Sequence, residues 1–497
     1  MTTQPLDQPS RNRLALVGGL IADVKARVLR RADVLVEDGT IALVAEPGAL
    51  DLVNARVLDL GGSLLLPGLV NAHTHSYSML CRHVGTGLPL EPWMMHAWSY
   101  TQGRTLDEVR LSALLHGLEA LKTGTTTLLD HLGGDVANCD AALEAYQALG
   151  IRAVVAPMVS DVALPDSVGL AAEDWPAASL RHARELQPPT HDLVSAIIDL
   201  HQRWEGRSEL LRVFLGPSAP QRCSRELLEK CSQASAELNM GVHLHLLETR
   251  AQAAMVPPSG EPSWVAYLGS LGLLTPRLSA AHGVWMSPAE LEQAAESGVS
   301  LVHNPWSNLV LGSGIAELGA WRRLGVHAAL GTDGVNCGGS MDMLVAMRLA
   351  MALHRPAQTD PDEWETIWSI LALASSGGSR ALGLAPGVIA EGARADISVF
   401  DTIGTEYCTE ENSLASLLMS SHNHSARMVV VGGQVVVEDG RSTLIDEGAL
   451  LAEAADAFAG VRKRNARLRL IAGAQEKTLL GVAMSAPPNR QVMPFIA

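Results

Sequence analysis

The sequence predicts an α/β protein, a distorted (β/α)8 barrel that carries a small β-sandwich formed from both chain ends. Three observations lead there. Short alternating apolar–polar runs fill residues 12 to 66, and the same texture returns between about 386 and 445. Between them, eight short apolar runs alternate with amphipathic helical segments. Eight successive β-then-α units favour a closed parallel barrel over an open sheet.

Taken in order, "RLALVGGLIAD", "ADVLVEDGTIALVAE" and "ARVLDLGGSLLLPG" read as strands broken at turns such as "EDGT" and "LGGS". "GARADISVFD" and "ARMVVVGGQVVVEDGRS" repeat the pattern late in the chain. If these ends pair, residues 1–66 and 386–445 form a composite β-domain and 67–385 form the inserted barrel. Residues 446–497 then make a C-terminal helix and tail. The expected barrel strands are "GLVNAHTH", "TTTLLDH", "IRAVVAP", "LRVFLGPSAP", "MGVHLHLLE", "LSAAHGV", "VSLVHNP" and "VHAALGTDG". Segments such as "LDEVRLSALLHGLEALKTG" and "SRELLEKCSQASAELN" supply helices. Pro157 to Leu193, rich in proline and charge, is expected as a surface excursion, and the tail after about 466 as weakly structured at its end ("SAPPNRQVMPFIA"), an oligomer contact or disordered.

The chain has 497 residues, 47% hydrophobic and only 18% charged, against roughly 25% charged in an average globular protein. That allows a large core and extensive subunit contact. A formal net charge of −16 argues against nucleic acid or an anionic membrane as partner. Six cysteines without a CxxC pair form neither a disulfide framework nor a zinc finger. The polar start "MTTQPLDQPSRNRLALVGGL" reads as neither signal peptide nor span, and no later apolar run is long enough to cross a bilayer. The expected location is cytoplasmic.

In such barrels the chemistry sits at the C-terminal ends of the strands. There the first strand offers His73 and His75, the fifth His245 and Glu248, the sixth His282 and the eighth Asp333. Residues two apart on a strand share a face, so His73 and His75 can reach one ion. Any one of these has an ordinary explanation. A lone strand-end histidine is more often a hydrogen-bonded core group, Glu248 could favour a helix N-terminus, and "TDG" could be a turn. Their conjunction at one end of one barrel makes a site. Three imidazoles and a carboxylate suit zinc or iron(II), with room for water. His243 lies on the same face as His245, and spacing alone does not choose between them.

The motifs "PGLVNAHTH", "LKTGTTTLLDH", "GPSAPQRCS", "HLHLLET", "AHGVW", "HNPWSNLVLGSG" and "LGTDG" occur in the order seen in the amidohydrolase superfamily. More narrowly, the chain resembles its branch of cytosine, guanine and S-adenosylhomocysteine deaminases and triazine hydrolases. The resemblance spans nearly the whole chain and implies a TIM barrel. It implies that His73, His75, His245 and Asp333 bind metal, with His245 preferred over His243 by the H-x-x-E pattern. It makes Glu248 the proton shuttle, His282 the group that steadies the water and the tetrahedral intermediate, and Asp333 the acceptor of the water's proton. The fourth strand lacks the lysine of dinuclear members, so one divalent metal per chain is expected: zinc, with iron(II) or manganese(II) as alternatives. The branch forms dimers or tetramers, so a homodimer or homotetramer is expected.

Departures bear on substrate. Ser218 and Gln221 stand where nucleoside-type deaminases carry histidine and tyrosine, and Val310 where they carry lysine. These changes argue against an adenosine-like substrate. Trp93 and Trp98 could stack on a planar ring, and His303, Asn304 and Trp306 complete the expected pocket. The function expected is hydrolysis at a C–NH2 carbon of a nitrogen heterocycle (purine, pyrimidine, pterin or triazine type) with loss of ammonia. The alternative is attack by the same groups on an amide, urea, carbamate or C–halogen bond. A non-catalytic scaffold is disfavoured because every role is filled.

Overall fold

The computed structural model describes residues 13–168, 190–358, 360–401, 409–420 and 425–485. Both ends of the chain meet in one nine-stranded sheet. Leu64–Pro67 is its junction, pairing in parallel with Arg13–Asp23 and antiparallel with Ile397–Phe400, Ile397 opposite Pro67 and Phe400 opposite Leu64. Strand alternation divides the side chains: Leu65 joins Leu16, Ile21, Val34, Ile397 and Val430 in the sheet's own core, while Leu64 and Leu66 face the barrel core. Among the contacts that bind sheet to barrel, two are at buried positions. Arg152 makes a bidentate pair with Asp396 (3.0 and 3.2 Å), both about 7% exposed. Gly124, at φ +88°, admits the Phe400 ring where a Cβ would stand 2.5 Å from its Cζ.

The barrel strands are β1 Leu69–Thr74, β2 Thr125–Gly133, β3 Arg152–Val159, β4 Leu211–Val213 continued by Gly216–Pro217, β5 Val242–Leu246, β6 Leu278–His282, β7 Ser300–His303 and β8 His327–Leu330. They form two parallel arcs, β1 to β4 and β5 to β8. One seam is bridged by backbone, with Leu215 N–H donating to Gly241 O (2.9 Å) and His243 N–H to Leu215 O (2.8 Å). The other is closed largely by a side chain. Asn71 accepts from Thr332 N–H (3.1 Å) and donates to Thr332 Oγ1 (2.7 Å), and Asp333 N–H donates to His73 O (3.0 Å). Outer helices begin at the signals expected of them, including capping boxes at Thr105/Glu108 and Ser287/Glu290.

One expectation changes. Pro157 belongs to β3, and the described part of the excursion turns inward: Leu164 and Val168 pack with Met95 and Trp98 over the barrel mouth. Residues 169–189 lie outside the described residues. The stretch expected to be weakly structured, past Ser485, lies outside them too. The C-terminal helix, Ala466–Ser485, packs on the helix Leu90–Thr101 above the mouth. Asn465 ties its start to the carbonyls of Tyr100 and Gln102 (3.2 and 3.0 Å). No helix among the described residues is long and apolar enough to cross a membrane.

Candidate active site

The strand ends bring His73, His75, His245, Glu248, His282 and Asp333 together, all buried or nearly so. Three backbone positions there have positive φ without being glycine: Leu247 (47°), His282 (79°) and Asp333 (62°). Such conformations are uncommon and persist where surrounding structure holds them.

Hydrogen bonds fix each ring. His75 Nδ1 donates to His131 O and His245 Nδ1 to Ser218 O, both 2.6 Å. His73 Nδ1 donates to His243 Nε2 (2.8 Å), whose own Nδ1 donates to Ser279 Oγ (2.7 Å). Each of the three site rings therefore aims an Nε2 lone pair inward. His73 Nε2 is buried without a partner, and the Nε2 atoms of His75 and His245 face each other at 3.3 Å. Asp333 Oδ1 lies 3.3 Å from His75 Nε2 and 3.6 Å from His73 Nε2. Two facing lone pairs repel unless a cation lies between them. Ligand atoms about 2.0–2.1 Å from one tetrahedral zinc stand about 3.3 Å apart, so these residues fit such an ion.

His282 is held differently. Its Nδ1 accepts from Asn308 Nδ2 (2.9 Å), so Nε2 carries the proton and points toward Glu248 Oε2 (3.6 Å) and Asp333 Oδ2 (4.0 Å). Ser307 Oγ donates to Asp333 Oδ2 and Gly334 N–H to Oδ1, both 2.6 Å.

Burial holds His73, His131 and His243 well below the usual imidazole range, His245 at about 3 and His282 at about 4. These rings are neutral at pH 7, the form that binds metals. Burial alone would raise Asp333, but its contact with His73 and the field of the surrounding histidines hold it well below the usual carboxylate range. Glu248 goes the other way. Burial first, then repulsion from Asp333 and Glu91, raises it well above that range, against a single bond from Ser313 Oγ (3.2 Å).

A cavity of about 720 Å³ opens onto these groups, within the range of about 300–1,000 Å³ usual for small-ligand sites. Trp93, Trp98, Ser218 and Gln221 line it. His303, Asn304 and Trp306 do not: His303 packs behind on His354 and Trp321, Asn304 touches His282 Nδ1 (3.5 Å), and Trp306 is 40% exposed on the outside. The sequence reading missed several neighbours. His131 on β2 joins the imidazole cluster with its Nδ1 unpartnered, Ser307 and Asn308 hold Asp333 and His282, and Glu91 and Arg104 line the cavity. His131 lies in "LKTGTTTLLDH" and Ser307 and Asn308 in "HNPWSNLVLGSG", but a motif does not fix where its side chains point.

A parallel barrel with convergent imidazoles and a carboxylate at its C-terminal mouth defines the class of metal-dependent barrel hydrolases. Residues 64–436 match the Amidohydrolase family, and the chain belongs to it. It is 32% identical over 435 residues to the 5'-deoxyadenosine deaminase of Methanothermobacter thermautotrophicus, covering 86% of this chain and 95% of that protein. It is also 32% identical to the 5-methylthioadenosine/S-adenosylhomocysteine deaminase of Nitratidesulfovibrio vulgaris, over 87% of this chain and 94% of that one. Among solved structures, a zinc-bound adenosine deaminase from Xanthomonas campestris superposes with a TM-score of 0.79 at 28% identity, covering 90% of this chain and 98% of that one. The zinc complex of an atrazine chlorohydrolase from Arthrobacter aurescens gives 0.79 over 90% of this chain and 100% of that one; at 24% identity it speaks for the fold alone.

Proposed function

We propose that the protein is a mononuclear metal-dependent aminohydrolase that replaces the amino group of a planar nitrogen heterocycle by oxygen and releases ammonia. The observation that carries this is geometric: the Nε2 atoms of His73, His75 and His245 and the Asp333 carboxylate converge at one end of the barrel, with Glu248 Oε2 beside them 3.6 Å from His282 Nε2. A single divalent ion held by His73, His75, His245 and Asp333, zinc or else iron(II) or manganese(II), would supply Lewis acidity and lower the pKa of water toward neutrality.

The chain's own groups do the rest. Asp333, kept ionised, takes the proton of the attacking water through Oδ2, which Ser307 orients. Glu248, kept protonated, donates to the ring nitrogen beside the reacting carbon as charge builds there. Asp333 then passes the water's proton to the departing amine, and Glu248 recovers a proton from the added hydroxyl as the C–N bond breaks and the C=O forms. The Nε2–H of His282 steadies the developing oxyanion. Trp93 and Trp98 flank the ring. Deaminase relatives named for adenosine derivatives favour an aminopurine ring, whereas Ser218, Gln221 and Val310 weigh against a nucleoside like theirs. The second reading, displacement of halide or another substituent from a triazine-like ring, draws only on the fold shared with the atrazine enzyme. A small-molecule substrate, a homodimer or homotetramer and a cytoplasmic location complete the proposal.

Ammonia release from a panel of aminopurines, their nucleosides, aminopyrimidines and triazines tests it, beside Glu248→Gln. That variant should keep its metal and lose turnover about a hundredfold or more, the scale of general acid–base groups. Undiminished turnover would remove Glu248 from the mechanism, and chloride without ammonia would favour the second reading.

A further inference from the structure

The C-terminal helix Ala466–Ser485 lies beyond residue 436, where the family match ends, yet it forms part of the cavity wall. Its buried stripe runs Ala472, Gln475, Leu479, Val482 at helical spacing. Ala472 and Leu479 pack on Met95, Val168 and Trp98. A glutamine in the middle of such a stripe is out of pattern. Gln475 has no exposed surface, and both its Nε2 and its Oε1 lack a hydrogen-bond partner. A buried carboxamide with neither atom satisfied destabilises the protein that holds it, and native structures rarely keep one without a use. Gln475 lines the cavity onto which His75, Glu248 and Asp333 open.

We propose that Gln475 is a substrate-recognition residue supplied from outside the barrel. Its carboxamide offers a donor and an acceptor side by side, so it reads a ligand edge that presents an acceptor beside a donor. A lactam, a carboxamide or an amino-substituted ring nitrogen has that edge, on the part of the molecule remote from the reacting carbon. The inference rests on the cavity being the substrate site of the aminohydrolase proposed above. It assigns the helix a role in specificity and leaves the bond-breaking groups unchanged.

The full-length metal-loaded protein serves for the test, as wild type, Gln475→Leu and Leu479→Ala. Without substrate, Gln475→Leu should melt at or above the wild-type temperature, because it fills the same space and removes two unsatisfied groups. Leu479→Ala, which loosens the helix, should melt lower. With whichever of guanine or melamine the wild type turns over, both of which keep such an edge away from the reacting carbon, Gln475→Leu should raise KM about 10- to 100-fold with kcat nearly constant, the mark of lost uniform binding. A Gln475→Leu melt several degrees below wild type would mean that the carboxamide has a structural partner and would overturn the inference. An unchanged KM would overturn it as well. If the wild type turns over no heterocycle, the aminohydrolase reading fails separately, and the melt still decides whether Gln475 is held in reserve.

Discussion

His243 donates nothing to the reacting centre, yet its removal should weaken metal binding. Its ring is fully buried and bridges His73 Nδ1 (2.8 Å) and Ser279 Oγ (2.7 Å). The bond to His73 fixes the tautomer that leaves His73 Nε2 bare. In His243→Leu the Nδ1–H of His73 would be buried without an acceptor, costing about 1–3 kcal/mol. The alternative is for His73 to move its proton to Nε2, which blocks the ligand position. Either route comes to about a 10- to 100-fold loss of metal affinity, the effect usual for groups that orient a metal-binding histidine, or about 1.4–2.7 kcal/mol. Zinc affinity measured by competition with a chromogenic chelator reads this directly. His243→Gln should recover part of the loss, because its carbonyl oxygen can accept from Nδ1. Zinc affinity in His243→Leu within about threefold of wild type, or His243→Gln no better than His243→Leu, would refute the orienting role.

Three further outcomes are expected. Protein purified without added metal should contain about one zinc or iron per chain, lost in His73→Ala; two per chain by elemental analysis would contradict the single site expected from a fourth strand without lysine. Arg152→Met should destabilise the protein by about 1.5–3 kcal/mol, because it removes the bidentate partner of the buried Asp396 carboxylate and leaves it to Arg394 (3.4 Å) and Gly432 N–H (2.8 Å). Adding Asp396→Asn should restore part of that in calorimetry, and a double variant no more stable than the single would exclude the under-paired charge as the cause. Burial pushes Asp342 up to about 6 from an ordinary 3.8, so the folded state binds its proton more tightly than the unfolded chain does. The ionised carboxyl therefore costs stability above pH 6, about 3 kcal/mol at most, and the cost fades as pH falls toward 4. Asp342→Asn, which keeps the helix cap on Leu344, should stabilise at pH 8 and lose that advantage by pH 4 in thermal melts.

Strand-end chemistry was legible in the sequence because a strand's period of two fixes which side chains share a face. His73, His75, His245, His282 and Asp333 all lie where that rule and the barrel's polarity put them. The rule could not separate His243 from His245, since both point into the barrel. What separates them is depth. His243 sits one layer down, beside Ser279 on β6, while His245 sits beside Ala281 at the rim. At β7 the rule failed for another reason. The chain passes from strand into the short helix Pro305–Val310, where the period becomes 3.6. Asn304, Ser307 and Asn308, at i, i+3 and i+4, then face the site, and Trp306 turns outward. The position of Gln475 could not be read from any local pattern, because the contact of its helix with the mouth joins segments some 380 residues apart.

The two buried carboxyls explain why the site needs this many supporting residues. Desolvation acts on both in the same direction, so burial alone would leave Asp333 and Glu248 equally protonated. Asp333 escapes because its contact with His73 and the fields of His73, His75 and His282 hold it down; Ser307 and Gly334 also donate to its two oxygens. Glu248 has one bond, from Ser313, and faces Glu91 and Asp333, so it keeps its proton. In the mechanism proposed, a base and an acid are obtained from like groups through their neighbours. Ser307→Ala should therefore impair Asp333 as a base by removing one of its two donors, and the acid limb of the kcat/KM profile should move to higher pH. An acid limb left in place by Ser307→Ala would mean that the histidines alone keep Asp333 ionised.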